Sequence, residues 1–83
     1  MERPQVQAIL PEGFSLLNFA SCGPYVLATV SFPDNEGDGS WLAFRDGDHW
    51  EELALTGGVL WTEDLEDLDV PQEHWPELLS AYR

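Results

Sequence analysis

An Asp46-Gly47 pair between two strand-like runs is the feature that most constrains how this chain can fold. The run before it (41–45) and the run after it (48–53) are rich in aromatic and aliphatic residues. An Asp-Gly pair favours a two-residue type I′ turn, because both central residues of that turn need a positive φ. The pattern therefore predicts a β-hairpin, and with it an antiparallel sheet. The expected cross-strand pairs are Arg45 with Asp48, Phe44 with His49 and Ala43 with Trp50.

Three segments in the first half of the chain also have the character of strands. The run from Tyr25 to Phe32 is the clearest, because β-branched and aromatic residues dominate it. Segment 5–10 alternates polar and apolar residues, and segment 14–20 carries apolar residues on both of its faces. Breaker residues at 11–13, 21–24 and 33–40 predict turns or loops between these runs. Four or five short strands joined by tight connections are typical of a β-meander.

The apolar pattern changes its period after Thr56-Gly57-Gly58, where helical spacing replaces the alternation of strands. One helix is predicted from Thr62, placed as its N-cap, with acidic residues in its first turn. A second helix is predicted over about residues 75–82, after a looser turn at 72–74, because Pro76 is tolerated only near a helix start. The expected apolar cover of the sheet consists of Trp61, Leu65, Trp75, Leu78 and Tyr82.

The composition supports a folded domain of the α+β class. Hydrophobic residues make up 43% of the 83 residues, and four Trp, four Phe and two Tyr are present. A disordered acidic tail has low hydrophobicity and few aromatic residues, so this class is disfavoured. No internal repeat or linker divides the chain. We therefore predict one domain over residues 1–83, a small antiparallel β-meander of four or five strands with C-terminal helical segments packed on one face.

The charge of the chain excludes several classes of partner. Sixteen Asp and Glu residues stand against three Arg and no Lys, which gives a formal net charge of −13. Direct binding to nucleic acid needs a basic patch that releases counterions from phosphates, and three arginines cannot build one. Binding to an anionic membrane surface is disfavoured for the same reason. The chain is therefore not expected to bind nucleic acid or a membrane.

The cysteine content and the N-terminal sequence favour the cytoplasm. Cys22 is the one cysteine, so no intramolecular disulfide can form, and a small secreted domain would normally use several. The first residues lead into no apolar stretch of the signal-peptide kind, and no apolar run approaches the roughly 20 residues needed to span a bilayer. The use of Arg as the one basic residue type is a weak indication of a GC-rich bacterial or phage genome.

No motif in the sequence indicates a catalytic centre, a metal or a cofactor. The segment from Asp34 to Ser40 begins like a calcium-binding loop, but Arg45 stands where the bidentate Glu is required. Cys22, His49 and His74 lack the spacing of zinc ligands, and a nucleophilic Cys–His pair would require them to meet in space. Phosphate-binding and nucleophile-elbow patterns are missing from the sequence. We therefore predict that the protein is not an enzyme and holds no cofactor.

The acidic residues are clustered, and this clustering suggests a binding surface. Bases at i+4, which usually balance acids on a solvated helix, are missing around residues 63–69. An aromatic side chain among acids is a suitable anchor for a basic partner, because charge speeds the encounter and the aromatic contact prolongs the complex. The predicted partner-binding residues are Glu63, Asp64, Glu66, Asp67 and Asp69 in the first C-terminal helix, Asp46, Asp48, Glu51 and Glu52 in the hairpin, and Trp50 and Trp41 as anchors.

Three functional hypotheses follow from these observations. The first is a non-enzymatic binding module that occludes a basic surface of another protein, such as a nucleic-acid-binding protein or a nuclease, in the manner of inhibitors, immunity proteins, anti-defence proteins or DNA mimics. The second is a structural or regulatory accessory domain that acts through an apolar patch or a sheet edge, as a monomer or a homodimer. The third is a small enzyme or metal-dependent protein, which needs Cys22 and a histidine to converge.

Overall fold

A computed structural model describes residues 2–83, which form a four-stranded antiparallel sheet with short helices on both of its faces. The elements are α1 (Arg3–Ile9), β1 (Ser15–Cys22), β2 (Tyr25–Ser31), β3 (Asp38–Asp46), β4 (His49–Thr56), α2 (Thr62–Asp67) and α3 (Trp75–Leu79), with 3-10 turns at Pro33–Asn35, Gln72–His74 and Ser80–Tyr82. The strand order is β1-β2-β3-β4, so each strand pairs with the next one along the chain. This arrangement confirms the predicted α+β meander with C-terminal helical segments.

Two hydrophobic cores lie on opposite faces of the sheet, because successive residues of β2 point to opposite sides and both sides are buried. The C-terminal core contains Ala20, Tyr25, Leu27, Leu42, Leu60, Leu65, Val70, Leu78 and Ala81. The N-terminal core contains Val6, Leu10, Leu16, Val26, Ala28, Val30, Trp41 and Ala43. The sequence predicted a cover for one face only, and α1 supplies the second.

The prediction of a strand over residues 5–10 is wrong, because most of this segment belongs to helix α1. Pro4 stands in the first turn, where its fixed φ suits a helix and its missing N–H is not needed. The Glu2 N–H donates to Gln5 Oε1 over 2.8 Å and satisfies one free donor at the helix start. Val6 and Leu10, four residues apart, are the buried residues of this segment. An i, i+4 apolar pair was therefore hidden within an apparent alternation.

The β3–β4 hairpin forms where the sequence predicted it, but its register is different. Asp46 pairs with His49 and Arg45 with Trp50, so Gly47 and Asp48 form the two-residue loop. Gly47 has a φ of +63°, while Asp48 does not have a positive φ. A positive φ at the first central residue alone belongs to a type II′ turn, which prefers Gly at that position. Gly47 is therefore the first central residue of the turn, and each of the three predicted cross-strand pairs is wrong.

The C-terminal segments cover the sheet as short pieces. Leu65 of α2 and Leu78 of α3 are fully buried in the C-terminal core. The N-cap of α2 is Trp61 and not Thr62, and the Trp61 N–H donates to Asp64 Oδ2 over 2.8 Å. Trp61 is 66% exposed, so it does not belong to the apolar cover in which the sequence placed it. Among the described residues, no helix combines the length and apolar character that crossing a membrane requires.

A hydrogen-bond network joins the last residues of the chain to the sheet. The Tyr82 hydroxyl accepts the Leu60 N–H over 2.8 Å and lies 2.6 Å from Ser40 Oγ. Ser40 is fully buried in β3, and its hydroxyl donates to the carbonyl of Gly58 over 2.6 Å. The Tyr82 hydroxyl therefore serves as donor to Ser40 and acceptor from Leu60. This network ties the C-terminus and the segment after β4 to one buried serine.

The two edges of the sheet differ. Strand β1 is contacted by α1, by α3 and by the last 3-10 turn, whereas β3 alone makes extensive contacts with β4 within residues 2–83. The pairing of β4 is also irregular, because its register shifts where Leu42 pairs with Ala54 and Ala43 pairs with Glu52. The extra residue, Leu53, forms a β-bulge. A register shift at Leu17 gives β1 a bulge as well, so the edges differ in their contacts with the helical segments and not in their regularity.

Candidate partner-binding surface

The carboxylates of the chain lie almost entirely at the surface. All sixteen Asp and Glu residues fall within the described residues, and Asp64 alone among them is half-buried while the others are exposed. Asp64 is the residue whose carboxylate accepts the Trp61 N–H at the start of α2. Its partial burial therefore follows from helix capping. The other fifteen side chains face solvent.

Few of these carboxylates have a cation near them. Within residues 2–83, the arginine–carboxylate pair is Arg45 with Asp48 at 4.0 Å, and the Glu73 carboxylate lies 3.8 Å from His74 Nε2. The Arg3 guanidinium is engaged elsewhere, since it donates to the carbonyls of Leu16 at 3.0 Å and Leu17 at 3.2 Å. An exposed pair such as Arg45–Asp48 contributes little to stability. The negative charge of the surface is therefore nearly uncompensated within the described chain.

The acidic residues of the hairpin occupy its tip and both faces of β4. Asp46 and Asp48 lie at the tip, where both are exposed. Glu51 and Glu52 are consecutive in β4 and point to opposite faces of the sheet. The Glu52 carboxylate accepts the indole N–H of Trp41 over 2.7 Å, so it has a structural partner. Of the four hairpin carboxylates, Glu52 therefore bonds a core residue and Asp48 lies near Arg45, while Asp46 and Glu51 have neither kind of contact within residues 2–83.

The acidic residues of the α2 region form a second group close to β4 along the chain. Glu63, Glu66 and Asp67 are exposed on α2, and Asp69 is exposed just after its end. Leu65 faces the C-terminal core, so the same helix carries a buried apolar side and an exposed acidic side. The segment that separates β4 from α2 spans residues 57–61. The predicted acidic residues therefore follow one another over residues 46–69, a segment that we call the β4–α2 half.

The aromatic anchors are distributed differently from the prediction. Trp41 is 2% exposed and belongs to the N-terminal core, so the expectation that it acts as a surface anchor is wrong. Trp50 is half-buried on β4, with the Arg45 guanidinium 5.9 Å from its ring centroid. Trp61 is the exposed indole, and it directly precedes the acidic residues of α2. No spacing distinguished Trp61 from the buried tryptophan, because Trp61 and Leu65 stand at i, i+4 as two residues of an apolar helix face would.

Cys22 and His74 meet in the structure, so the convergence that the third hypothesis requires is present, although no local sequence pattern indicated it. The Cys22 Sγ lies 3.0 Å from His74 Nδ1, and the imidazole packs on Tyr25 with ring centroids 5.5 Å apart. Gly23 allows the approach, because a Cβ at this position would lie 3.2 Å from His74 Cε1. The pair joins the end of β1 to the 3-10 turn before α3. Among the residues that the structure describes, no three His, Cys, Asp or Glu side chains form a group that could hold a metal ion.

Comparisons with known proteins add no identification: no family model matches the chain, and neither a curated protein nor a solved structure shows significant similarity to it.

Proposed function

We propose that this protein is a small, non-enzymatic binding module that occludes a basic surface of a partner protein. The observation that supports this proposal is the set of fifteen exposed acidic residues, of which the Asp48 carboxylate alone lies within 4.0 Å of an arginine of the described chain. Like charges in a compact chain repel one another and reduce its stability. A chain that keeps so much uncompensated charge at its surface is suited to a partner that supplies the opposite charge.

Electrostatic attraction would act first on the rate of association. Complementary charge can raise association rates from about 10⁵–10⁶ to about 10⁸–10⁹ M⁻¹s⁻¹ at low salt. Affinity also depends on a buried contact, and large aromatic residues are common at the centre of interfaces. Trp61 supplies such a residue, because it is exposed and adjoins the acids of α2. We therefore assign it the anchoring role that the sequence gave to Trp41.

The partner class follows from the same charge. Proteins that bind or cut nucleic acids carry basic surfaces that match phosphates, and an acidic module can cover such a surface. Inhibitors, immunity proteins, anti-defence proteins and DNA mimics act in this way. We propose a partner of this class in the cytoplasm of a bacterium or in a phage-infected cell. The protein itself would bind no nucleic acid.

Capture of a partner from lysate across a salt series tests the proposal. Salt from about 0.05 M to about 1 M shortens the screening length from more than 10 Å to about 3 Å, so a charge-dependent complex should dissociate over this range. The triple variant Glu63→Lys, Glu66→Lys and Asp67→Lys should lose capture. The matched control, Glu2→Lys, Glu12→Lys and Glu36→Lys, makes the same change in net charge at exposed positions outside the β4–α2 half.

The proposal also predicts that binding of this protein inhibits the captured partner. The captured protein should lose its own nucleic-acid binding or cleavage when the module is added at equal concentration. Equal loss of capture by the two triple variants would reduce the role of the β4–α2 half to general charge. Capture that persists at high salt and in both variants would refute the proposal.

The accessory-domain hypothesis remains as a second candidate because of one observation. Leu17 and Val59 are 47% and 44% exposed, and together with Tyr82 they line a cavity of about 260 Å³. An apolar contact there would be insensitive to salt. Capture that is lost in Leu17→Ser and Val59→Ser, but retained in the lysine variants, would support this candidate over the first.

A further inference from the structure

The outer edge of β1 is closed by side chains of helix α1. Gln7 Oε1 accepts the Leu16 N–H over 3.0 Å, and Gln7 Nε2 donates to the Phe14 carbonyl over 2.9 Å. The Arg3 guanidinium donates to the carbonyls of Leu16 and Leu17. These side chains bond to the backbone where a neighbouring strand would otherwise do so. The start of β1 is therefore partnered by α1 as well as by β2.

The outer edge of β4 has no such partner. In an antiparallel ladder, alternate residues bond to the neighbouring strand, so the N–H and C=O groups of the residues between them point outward. Within residues 2–83, the backbone of β4 forms hydrogen bonds with β3 and with no other element. Peptides bind to free edges of this kind by adding a strand, because main-chain hydrogen bonds supply affinity. The β4 edge, by which we mean the outer side of His49–Thr56, is therefore open to an extended segment.

The regular part of this edge is short. Residues His49 to Glu52 pair with β3 in an unbroken register, and the bulge at Leu53 interrupts the ladder after them. On the other side, the loop of Gly47 and Asp48 ends the strand. The β4 edge is therefore suited to a short extended segment and not to a long strand.

Both faces of the sheet carry a glutamate beside this regular stretch. Glu51 pairs with Phe44, which packs against the C-terminal core. Glu52 pairs with Ala43, which belongs to the N-terminal core. The side chains of an added strand alternate between the same two faces. Each row of its side chains would therefore have a carboxylate as neighbour.

These carboxylates favour a basic segment. Both are exposed, and residues 45–52 contain four acidic residues against one arginine. Opposite charges on neighbouring strands stabilise their pairing, and like charges destabilise it. Glu52 can keep its hydrogen bond with the Trp41 indole, because a carboxylate accepts several bonds at once. The charge of the edge thus complements arginine or lysine on both faces of an added strand.

We propose that the β4 edge binds an extended basic segment of the partner protein as a short fifth strand. Main-chain hydrogen bonds to β4 would hold the segment, and Glu51 and Glu52 would select its charge. The inference rests on the proposed function, because it specifies which part of the partner's basic surface is bound and by which groups. The β1 edge, where Arg3 and Gln7 occupy the backbone, would not bind such a segment.

Nuclear magnetic resonance of the full isotope-labelled chain tests strand addition. The probe is the peptide acetyl-Thr-Arg-Arg-Val-Arg-Arg-Thr-amide, whose consecutive arginines place positive charge on both faces of an extended strand. The amide resonances of β4 should shift in a saturable manner and their exchange with solvent should slow, while the amides of β1 should be unaffected. N-methylation of each backbone nitrogen between the two threonines retains the charges but removes the donors. It should lower the affinity by about tenfold or more, as expected from the loss of at least two backbone hydrogen bonds.

Charge is tested separately from backbone pairing. A peptide with citrulline in place of each arginine keeps the backbone donors and should bind more weakly. Glu51→Gln and Glu52→Gln should each lower the affinity for the arginine peptide by about two- to fivefold, as for an exposed charge pair. Glu12→Gln is the matched control, because it removes the same charge from an exposed position outside β4. The arginine peptide should also displace a partner captured from lysate, whereas the N-methylated peptide should not.

The results separate this inference from the proposed function. No shift in β4, equal affinity of the N-methylated or the citrulline peptide, or an equal loss in Glu12→Gln would overturn the addition of a basic strand, while leaving capture of a basic partner intact. Protection of the β4 amides by a rise in protein concentration alone would assign the edge to a second copy and overturn the proposal as well. Binding of the arginine peptide at β4 in a chain that captures no basic protein would support the edge site and refute the proposed function.

Discussion

The two cores of this protein are built on opposite faces of the same sheet, but their covers differ. The N-terminal core lies under one helix, α1, and the segment 2–14 carries two acidic residues. The C-terminal core lies under α2, α3 and two 3-10 turns, and the segment 62–83 carries seven. None of these C-terminal pieces is long enough to be a stable helix alone. The acidic surface therefore rests on elements that depend on tertiary packing.

The largest expected difference between the two cores is in the free energy of unfolding that is lost when a buried side chain is shortened. Leu78→Ala should lower the free energy of unfolding by about 2–5 kcal/mol, because Leu78 is fully buried beneath short helical pieces. Val6→Ala should cost less, about 2 kcal/mol, because it removes fewer methyl groups from a similarly buried site. Urea denaturation of both variants measures the difference. Because the two substitutions remove different numbers of atoms, Val70→Ala in the C-terminal core is the matched comparison for Val6→Ala, and a smaller loss for Val70→Ala would contradict the view that the C-terminal cover depends most on its core.

Loss of the Tyr82 hydroxyl should have a smaller effect on the same cover. Tyr82→Phe leaves the Leu60 N–H and the buried Ser40 with one partner fewer, which should lower stability by about 1–3 kcal/mol. Tyr25→Phe is a matched control, because its ring packs on Phe44 in the same core and its hydroxyl has no hydrogen-bond partner within residues 2–83. Thermal denaturation should show a clear loss for Tyr82→Phe alone. Equal losses would mean that the network does not hold the cover in place.

Salt should produce the smallest effect and should act mainly on the acidic side. Added salt screens repulsion between carboxylates over about 10 Å at 0.1 M, so the melting temperature should rise between low and moderate salt. At low salt, Glu66→Gln with Asp67→Asn should raise the melting temperature more than Glu2→Gln with Glu12→Gln. The difference between the two pairs should vanish at high salt. A melting temperature that stays flat or falls with salt would argue against strong self-repulsion.

The sheet was predictable because its signals are local. The run from Tyr25 to Ser31, the Asp-Gly turn and the helical spacing of Leu65, Trp75 and Leu78 each report on neighbouring residues, and the structure confirms the elements that they indicate. The failures were also local. Val6 of α1 and Leu10 at its C-cap imitated the alternation of a strand, and a glycine with a positive φ took the first position of the turn and moved the register.

The candidate surface could be predicted only in part. The number of acidic residues is known from the sequence, and their exposure is expected because ionised groups are rarely buried. The fate of each tryptophan depends on tertiary packing, so Trp41 in the core and Trp61 at the surface could not be told apart by spacing. The contact between Cys22 and His74 joins residues that are 52 positions apart, and no local pattern predicts such a meeting.

The open edge of β4 has a consequence for assembly. An unpaired strand edge is a template on which a sheet can grow from copy to copy, as in fibrils. Here Glu51 and Glu52 point to opposite faces, so two β4 strands paired edge to edge would place two carboxylates on each face of the pair. The bulge at Leu53 further interrupts such a template. The charges that we propose for recognition of a basic partner would thus also oppose polymerisation of the chain with itself.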